Sequence, residues 1–407
     1  MKPFYNSLSM SFLDSKTWCT NPASLYPELH TKRVIEVDGV HYLSRYEDVS
    51  ALLNSPEMSN MLGSPEGTPL RESMLQKDPP AHGRIRKTTG TRLNKQPIEK
   101  LRVDIQKAAH EIFAGIKSQG STEFVSSVAQ KMPLMSLKSL FSLEDEEVLR
   151  LATHVKAFVA RGNSNLSKDE VLQLQGQDLS AIHGFFRDFI QQRQAGNERR
   201  LQDLLQVLMD SVETGELTQA ELLDMCLILT IGGVETTSTA LSSVLVMMEE
   251  NRWCKDLVQN DPQLLPSLIE ETLRLESPIK YSSTRTARLD TEINGIRFAA
   301  GTQIVGLFGA ANRDPDIFPN PTELQLHRKG KPHLGFGYGV HYCVGAHFAR
   351  LQMQVVLEIL FKEFPSWRLV RQPSWKRWLG RSAWQWSPNP LIRGLTSLPM
   401  VWEKPTN

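Results

Sequence analysis

Cysteine is scarce: the chain has four in 407 residues, Cys19, Cys226, Cys254 and Cys343, far apart and without a C-x-x-C pair. That spacing argues against a disulfide framework and against a four-cysteine zinc site. An excess of one charge is lacking too, since 46 Lys and Arg against 45 Asp and Glu leave a net charge of +1. Such a balance provides no whole-chain attraction to nucleic acid, so electrostatic docking has to come from local patches. The first residues, MKPFYNSLSMSFLDSKTW, lack the apolar stretch of a secretory leader. No run elsewhere reaches the roughly 18 to 20 apolar residues of a membrane span. A cytoplasmic protein that engages neither membrane nor nucleic acid is the expectation. No Gly/Ser- or Pro-rich linker, low-complexity tract or internal repeat divides the sequence, so residues 1–407 are expected to form a single domain.

The pattern that is present is mainly helical. Segments 46–54, 96–118, 145–160, 166–193 and 200–213 carry apolar residues at spacings of three and four. Thr218 with Glu221 three positions on reads as a capping box, opening a helix that runs without Pro to about Glu250. Its middle is apolar all round, yet it holds Gly232-Gly233 beside the acid Glu235, and local rules broken together in a core element mark a site. Residues 263–276 and 345–363 are also predicted as helices, the latter with Phe348, Leu351, Val355, Ile359 and Leu360 on one face. Alternation around Asp38-Gly39 in 33–45, and around Asn294-Gly295 beyond Pro278, predicts short hairpins. The fold class is therefore mainly α, a helical body with a small β-rich lobe.

One cysteine stands apart. In HLGFGYGVHYCVG, residues 333–345, Cys343 is ringed by glycines just before a helix. Glycine turns free backbone N–H groups to face the sulfur, and the helix N-terminus favours an anion there, so a lowered thiol pKa and a thiolate ligand are expected. A buried inert cysteine is the bland alternative. A zinc site through His341, Cys343 and His347 would lack a fourth ligand and leave the glycines unexplained.

The stretch resembles the haem-binding signature F-x-x-G-x-x-x-C-x-G of cytochromes P450, matched by Phe336, Gly339, Cys343 and Gly345. Gly232-Gly233-Val234-Glu235-Thr236-Thr237 resembles that family's oxygen-activation motif, which implies that Thr236 and Glu235 deliver protons to bound dioxygen. Glu271-Thr272-Leu273-Arg274 resembles the family's E-x-x-R helix, with Arg328 completing a structural network, although Glu249-Glu250-Asn251-Arg252 fits the same four letters. Asp78-Pro79-Pro80-Ala81-His82-Gly83-Arg84-Ile85-Arg86 is similar to D-P-P-x-H-x-x-x-R, which implies that His82 and Arg86, with Arg285 and His341, hold the haem propionates. Leu93 and Leu326 depart from the family's usual aromatic residues without removing a chemical group.

The resemblance runs in collinear order over nearly the whole chain. It implies the cytochrome P450 fold, a helical prism with haem b between the long central helix and the cysteine loop. It also implies monooxygenation of a lipophilic organic substrate, such as a natural-product intermediate, by O2. No flavin or nucleotide motif is fused to the chain, so electrons are expected from a ferredoxin or flavodoxin with its reductase. Lys87, Arg92 and Lys95, with Lys329, Lys331 and Arg350, are candidates for the docking face. Family pocket segments fall on Ile228, Ile231, Gly232 and Lys280 and on Tyr281, Ser282, Leu391 and Ile392, together with the loop 56–77. Lys280 would either anchor an acidic substrate or carrier-linked group or face solvent. The alternatives are a peroxide-driven peroxygenase and a non-catalytic haem-based sensor or docking protein. The Trp- and Arg-rich segment 367–386 has no functional reading.

Overall fold

The computed structural model describes residues 16–62, 70–162, 168–195, 203–370 and 384–403. Both predicted hairpins form on two-residue turns. Val34–Val37 pairs with Val40–Leu43 across Asp38-Gly39, and Thr291–Ile293 with Ile296–Phe298 across Asn294-Gly295. All four turn residues have positive φ, between 48° and 83°, the left-handed backbone that Gly, Asn and Asp tolerate and that matches strand twist. Val40–Leu43 then runs parallel to Gln303–Gly306, which pairs with Arg285–Ala287 and through it with Met58–Ser59. This five-stranded sheet is the β lobe, and it brings residues about 260 positions apart in sequence into one layer.

Helices make up the rest. The longest, Gln219–Glu250, starts at the predicted capping box: Thr218 Oγ1 accepts from the Glu221 N–H and the Glu221 carboxylate accepts from the Thr218 N–H. Arg84, on the helix Ala81–Leu93, pairs with the same carboxylate and so ties the two helix starts together. By length and composition this helix could cross a membrane, but 67% of its most apolar stretch is buried inside the protein, which makes it the core helix. Leu241, Val244, Leu245 and Met248 are fully buried on it, each worth about 1.5–3 kcal/mol. Around it pack Lys131–Phe141, Lys168–Ala195, Leu265–Leu275 and Ala346–Glu363. On the last of these the predicted face, Phe348, Leu351, Val355, Ile359 and Leu360, is buried throughout.

One helical reading splits, two helices were not anticipated, and two readings hold over the described residues. The expected 96–118 helix is two, Lys95–Glu99 and Arg102–Ala114, followed by a turn that Gly120 ends at φ 76°. Lys131–Phe141 and Arg252–Asn260 are helices that periodicity missed, the first because Pro133 lies in its opening turn, where a missing N–H costs little. The expected helices 166–193 and 200–213 appear as Lys168–Ala195 and Leu204–Glu213, their first expected residues lying outside the described ones. Of the Trp- and Arg-rich segment, 371–383 is likewise outside. Its flanks are structural: Trp367 is fully buried with Lys255 Nζ 4.0 Å from its ring centre, and Arg393 stacks 3.8 Å from the Trp386 ring centre.

Candidate active site

Between the long helix and the loop 335–345 lies a cavity of about 450 Å³. The loop's shape follows from its glycines. Gly337 and Gly339 have φ of 73° and 68°, and a Cβ on Gly339 would come within 2.7 Å of the Leu53 carbonyl oxygen, so only glycine seats the loop on the helix Tyr46–Asn54. The Cys343 N–H donates to the Phe336 carbonyl at 2.8 Å, which folds the loop back and leaves the thiol facing the cavity.

The loop is clamped from the protein side. Arg350 makes two bonds of 2.7 and 2.8 Å to Glu270, stacks 4.4 Å from the Phe336 ring centre and reaches Tyr342 Oη. His333 meets the same carboxylate at 3.1 Å. Burial opposes ionisation of Glu270, but Arg350 and His333 outweigh it and hold the carboxyl down at about 2. Arg350 is thus committed to the loop, which removes it from the expected docking charges. Lys331 is paired with Glu47.

The expected lowering of the Cys343 pKa is not found. Burial raises it above its ordinary value, against the Gly345 N–H and the charges of Arg86 and Arg350. Burial thus works against the anion at this position, and a bound cation would favour it. Among the described residues no group of three or more His, Cys, Asp and Glu could hold a metal ion, so the zinc reading finds no site.

On one wall of the cavity the structure brings together His82, Arg86, Arg285 and His341. The His82 and His341 rings lie 4.2 Å apart between centres. Burial and then the neighbouring positive charges lower both imidazoles, His82 to about 4. Burial lowers Arg285 to about 10. Arg86 donates to the Tyr342 carbonyl at 2.6 Å. Buried His82 Nε2 and Arg285 Nη1 have no hydrogen-bond partner among the described residues. Crowded cations and orphaned donors in a dry wall call for an anion. Haem fits this site: its carboxylates match that wall, its flat face the apolar remainder, and its iron the thiol.

Opposite the loop, Ile228, Leu229, Gly232, Gly233, Thr236, Thr237 and Ala240 of the long helix line the cavity. A Cβ on Gly233 would meet nothing within 4 Å, so the paired glycines leave open space against the helix. Thr236 Oγ1 donates back to the Gly232 carbonyl. Glu235 is half-buried, and burial pushes its carboxyl up to about 7. It does not itself line the cavity.

The network expected around Glu271 forms. Arg274 binds both carboxylate oxygens at 2.8 and 2.9 Å, Arg328 Nε reaches them at 3.0 and 3.1 Å, and the Gln325 N–H adds a further bond. The two guanidiniums also collect the carbonyls of Asn312, Pro319, Asn320, Pro321 and Glu323, stapling the segment behind the cysteine loop. The rival Glu249–Arg252 pair makes one bond of 3.2 Å, with the arginine side chain 67% exposed.

Of the expected pocket residues, Ile228, Gly232, Tyr281, Ser282 and Leu391 line the cavity, whereas Ile231, Lys280 and Ile392 do not. Ile231 packs into the main core a quarter-turn from Gly232. Ile279 and Tyr281 line the cavity, whereas Lys280 between them does not and directs its ammonium to the carbonyls of Asn389 and Trp18. Lys280 is fully buried, with Nζ 3.2 Å from the Asn389 carbonyl and 3.4 Å from that of Trp18, and so neither faces solvent nor reaches a substrate. Ile392, bridged to Ile279 by its backbone, is buried off the cavity. Sequence reasoning missed Pro278, Ile279, Ser283 and Thr284, which two-residue alternation around Lys280 would have partly exposed. In the loop 56–77, Asn60, Leu62, Met74, Leu75 and Gln76 line the cavity, and 63–69 lies outside the described residues.

A family model described as Cytochrome P450 matches residues 39–373. The chain is 28% identical to the polyketide biosynthesis cytochrome P450 PksS of Bacillus subtilis, over 88% of this chain and 84% of the relative. It is 30% identical to a steroid C26-monooxygenase of Mycobacterium tuberculosis, over 90% and 95% respectively. Among solved structures it is similar to P450BioI in complex with hexadec-9Z-enoic acid ligated acyl carrier protein, with a TM-score of 0.85, 25% identity and coverage of 96% of this chain and 100% of that one.

Proposed function

The chain belongs to the cytochrome P450 family of haem-iron monooxygenases, and from that premise we propose that it hydroxylates or epoxidises a lipophilic natural-product intermediate in the cytoplasm, using O2 and electrons from a separate ferredoxin or flavodoxin system. The observation that carries this reading is the convergence in one cavity of the Cys343 thiol, a wall of four cationic or imidazole groups, and Thr236 on the facing helix. The group assigned to the cavity is haem b, which when bound supplies oxygen activation, with thiolate donation from Cys343 favouring O–O cleavage.

The remaining roles fall to this chain's own residues. Cys343 is the residue that would bind the iron, in a loop held by the Phe336 carbonyl and the Arg350–Glu270 clamp. His82, Arg86, Arg285 and His341 hold the carboxylates. Thr236 accepts and passes protons at Oγ1, whose own hydrogen is directed to the Gly232 carbonyl. Glu235, with a carboxyl near 7, is poised to hold or release a proton at neutral pH. Glu271, Arg274 and Arg328 keep the segment behind the loop in place. The apolar lining excludes water and selects an apolar substrate, in keeping with the polyketide and steroid chemistry in the names of two relatives. For docking of the electron donor, Lys87, Arg92, Lys95 and Lys329 remain after Arg350 and Lys331 are set aside.

The test is the reduced, CO-bound difference spectrum of the purified protein beside Cys343→His. A red-shifted Soret band that is lost in the variant is expected. A protein that binds no haem, or a band unchanged by the substitution, overturns the assignment.

A further inference from the structure

On the long helix Asp224 stands four and eight residues before Ile228 and Gly232, both of which line the cavity, while Asp224 itself lies behind the lining. The side chain is buried, hydrogen-bonded to one other part of the fold and in close contact with a second. Oδ2 accepts the backbone N–H of Glu72 at 2.8 Å, and Oδ1 lies 2.8 Å from His183 Nε2 on the helix Lys168–Ala195. The residues just beyond Glu72, namely Met74, Leu75 and Gln76, form part of the cavity wall. Beside the Asp224 bond, the Met74 N–H sits 3.5 Å from Met225 Sδ and Asn60 Nδ2 donates to the Leu75 carbonyl. A short wall segment is therefore bonded to the long helix through one buried carboxylate, beside contacts of its own, and that carboxylate also lies against a second helix.

We propose that Asp224 is a positioning residue that, together with His183, sets the width of the cavity mouth by holding the 70–76 wall against the long helix. Bulky ligands require this fastening to yield and small ones do not. The structural part of the inference stands on the contacts alone, whereas its meaning for substrate access rests on the monooxygenase reading.

The experiment uses the haem-loaded protein and compares Asp224→Ala, Asp224→Asn and His183→Gln with wild type. Hydrogen exchange reports the Glu72 amide directly. Stopped-flow Soret shifts give binding rates for imidazole and for a bulky N-substituted imidazole. In Asp224→Ala, Glu72 exchange is expected to accelerate about tenfold or more, as loss of a charge-assisted bond implies. Association and dissociation of the bulky azole should accelerate with it, while imidazole rates and the CO band stay as in wild type. Asp224→Asn, which keeps an oxygen for the Glu72 N–H, should give a smaller change. Unchanged Glu72 exchange and unchanged bulky-azole rates in Asp224→Ala overturn the proposal. If that variant fails to accumulate, His183→Gln decides, because the His183 side chain is 28% exposed and its loss spares the core. A wild-type protein without the thiolate CO band would sink the monooxygenase reading while leaving the exchange result to judge the fastening.

Discussion

Replacing Lys280 by Met tests how the buried charge outside the cavity is borne. The ammonium has two carbonyl partners at 3.2 and 3.4 Å, longer than the 2.7–2.9 Å typical of charged N–H donors, so desolvation is poorly repaid. Burial lowers its pKa from 10.5 to about 7, with Cys19, Arg393 and Glu276 as smaller influences. At about 1.4 kcal/mol per unit, that displacement costs the folded state on the order of 5 kcal/mol wherever the unfolded lysine is charged and the folded one is forced to be. The sign follows from proton counts. Between pH 7 and 10.5 the folded protein binds fewer protons at this site than the unfolded chain, so stability rises with pH across that window, and below pH 7 the full penalty remains. Urea unfolding followed by far-UV circular dichroism should show the gap between Lys280→Met and wild type narrowing by about 3 kcal/mol from pH 7 to 9.5. Substrate-induced spin-state shifts should be unaltered, since the side chain points away from the cavity. Parallel pH curves for the two proteins would refute the reasoning, and a selective loss of acidic ligands would restore Lys280 as an anchor.

Thr236→Ala should keep the CO band but uncouple NAD(P)H consumption from product, with peroxide or water released instead; normal coupling removes Thr236 from proton delivery. Glu235→Gln should be more stable than wild type at pH 8 and indistinguishable below pH 4.5, because a carboxyl raised from 4.5 to about 7 loses stability as pH climbs through that interval. Pairing the variants in urea titrations at both pH values checks it. Glu271→Gln leaves Arg274 and Arg328 without their shared counter-charge and should cost about 3–5 kcal/mol, read as loss of soluble haem-loaded protein. Gly339→Ala should lower haem retention, since its Cβ would strike the Leu53 carbonyl at 2.7 Å and the left-handed backbone adds about 1 kcal/mol.

Much of this site was legible because its chemistry needs rare residues in fixed order. A cysteine among glycines, a double glycine before an acid and a threonine, and a capping box at Thr218 are local patterns, and local backbone rules carried them into the structure. What sequence could not give was direction across distance. Lys280 and Tyr281 are neighbours in the chain, yet only one lines the cavity, and nothing in the pair says which. Arg350 looked like a surface charge until Glu270, on another helix, claimed it. The two E-x-x-R matches differ only in whether a second arginine, 57 positions from Glu271, folds back to meet the acid. The Asp224–Glu72 bond spans 152 positions and leaves no periodic trace.

The seating of Gly339 on the helix Tyr46–Asn54 has a bearing on how such a protein can change over generations. That helix packs on the β lobe, the cysteine loop rests on the helix, Glu270 ties the loop's start at His333 to Arg350, and Glu271 holds the segment behind it through Arg328. Substitutions there are screened by whether a haem protein accumulates at all. The 70–76 wall, bonded to the long helix at Asp224, lies outside that hub. A mutational library aimed at new substrates therefore belongs on Met74, Leu75 and Gln76, which line the cavity, rather than around the cysteine.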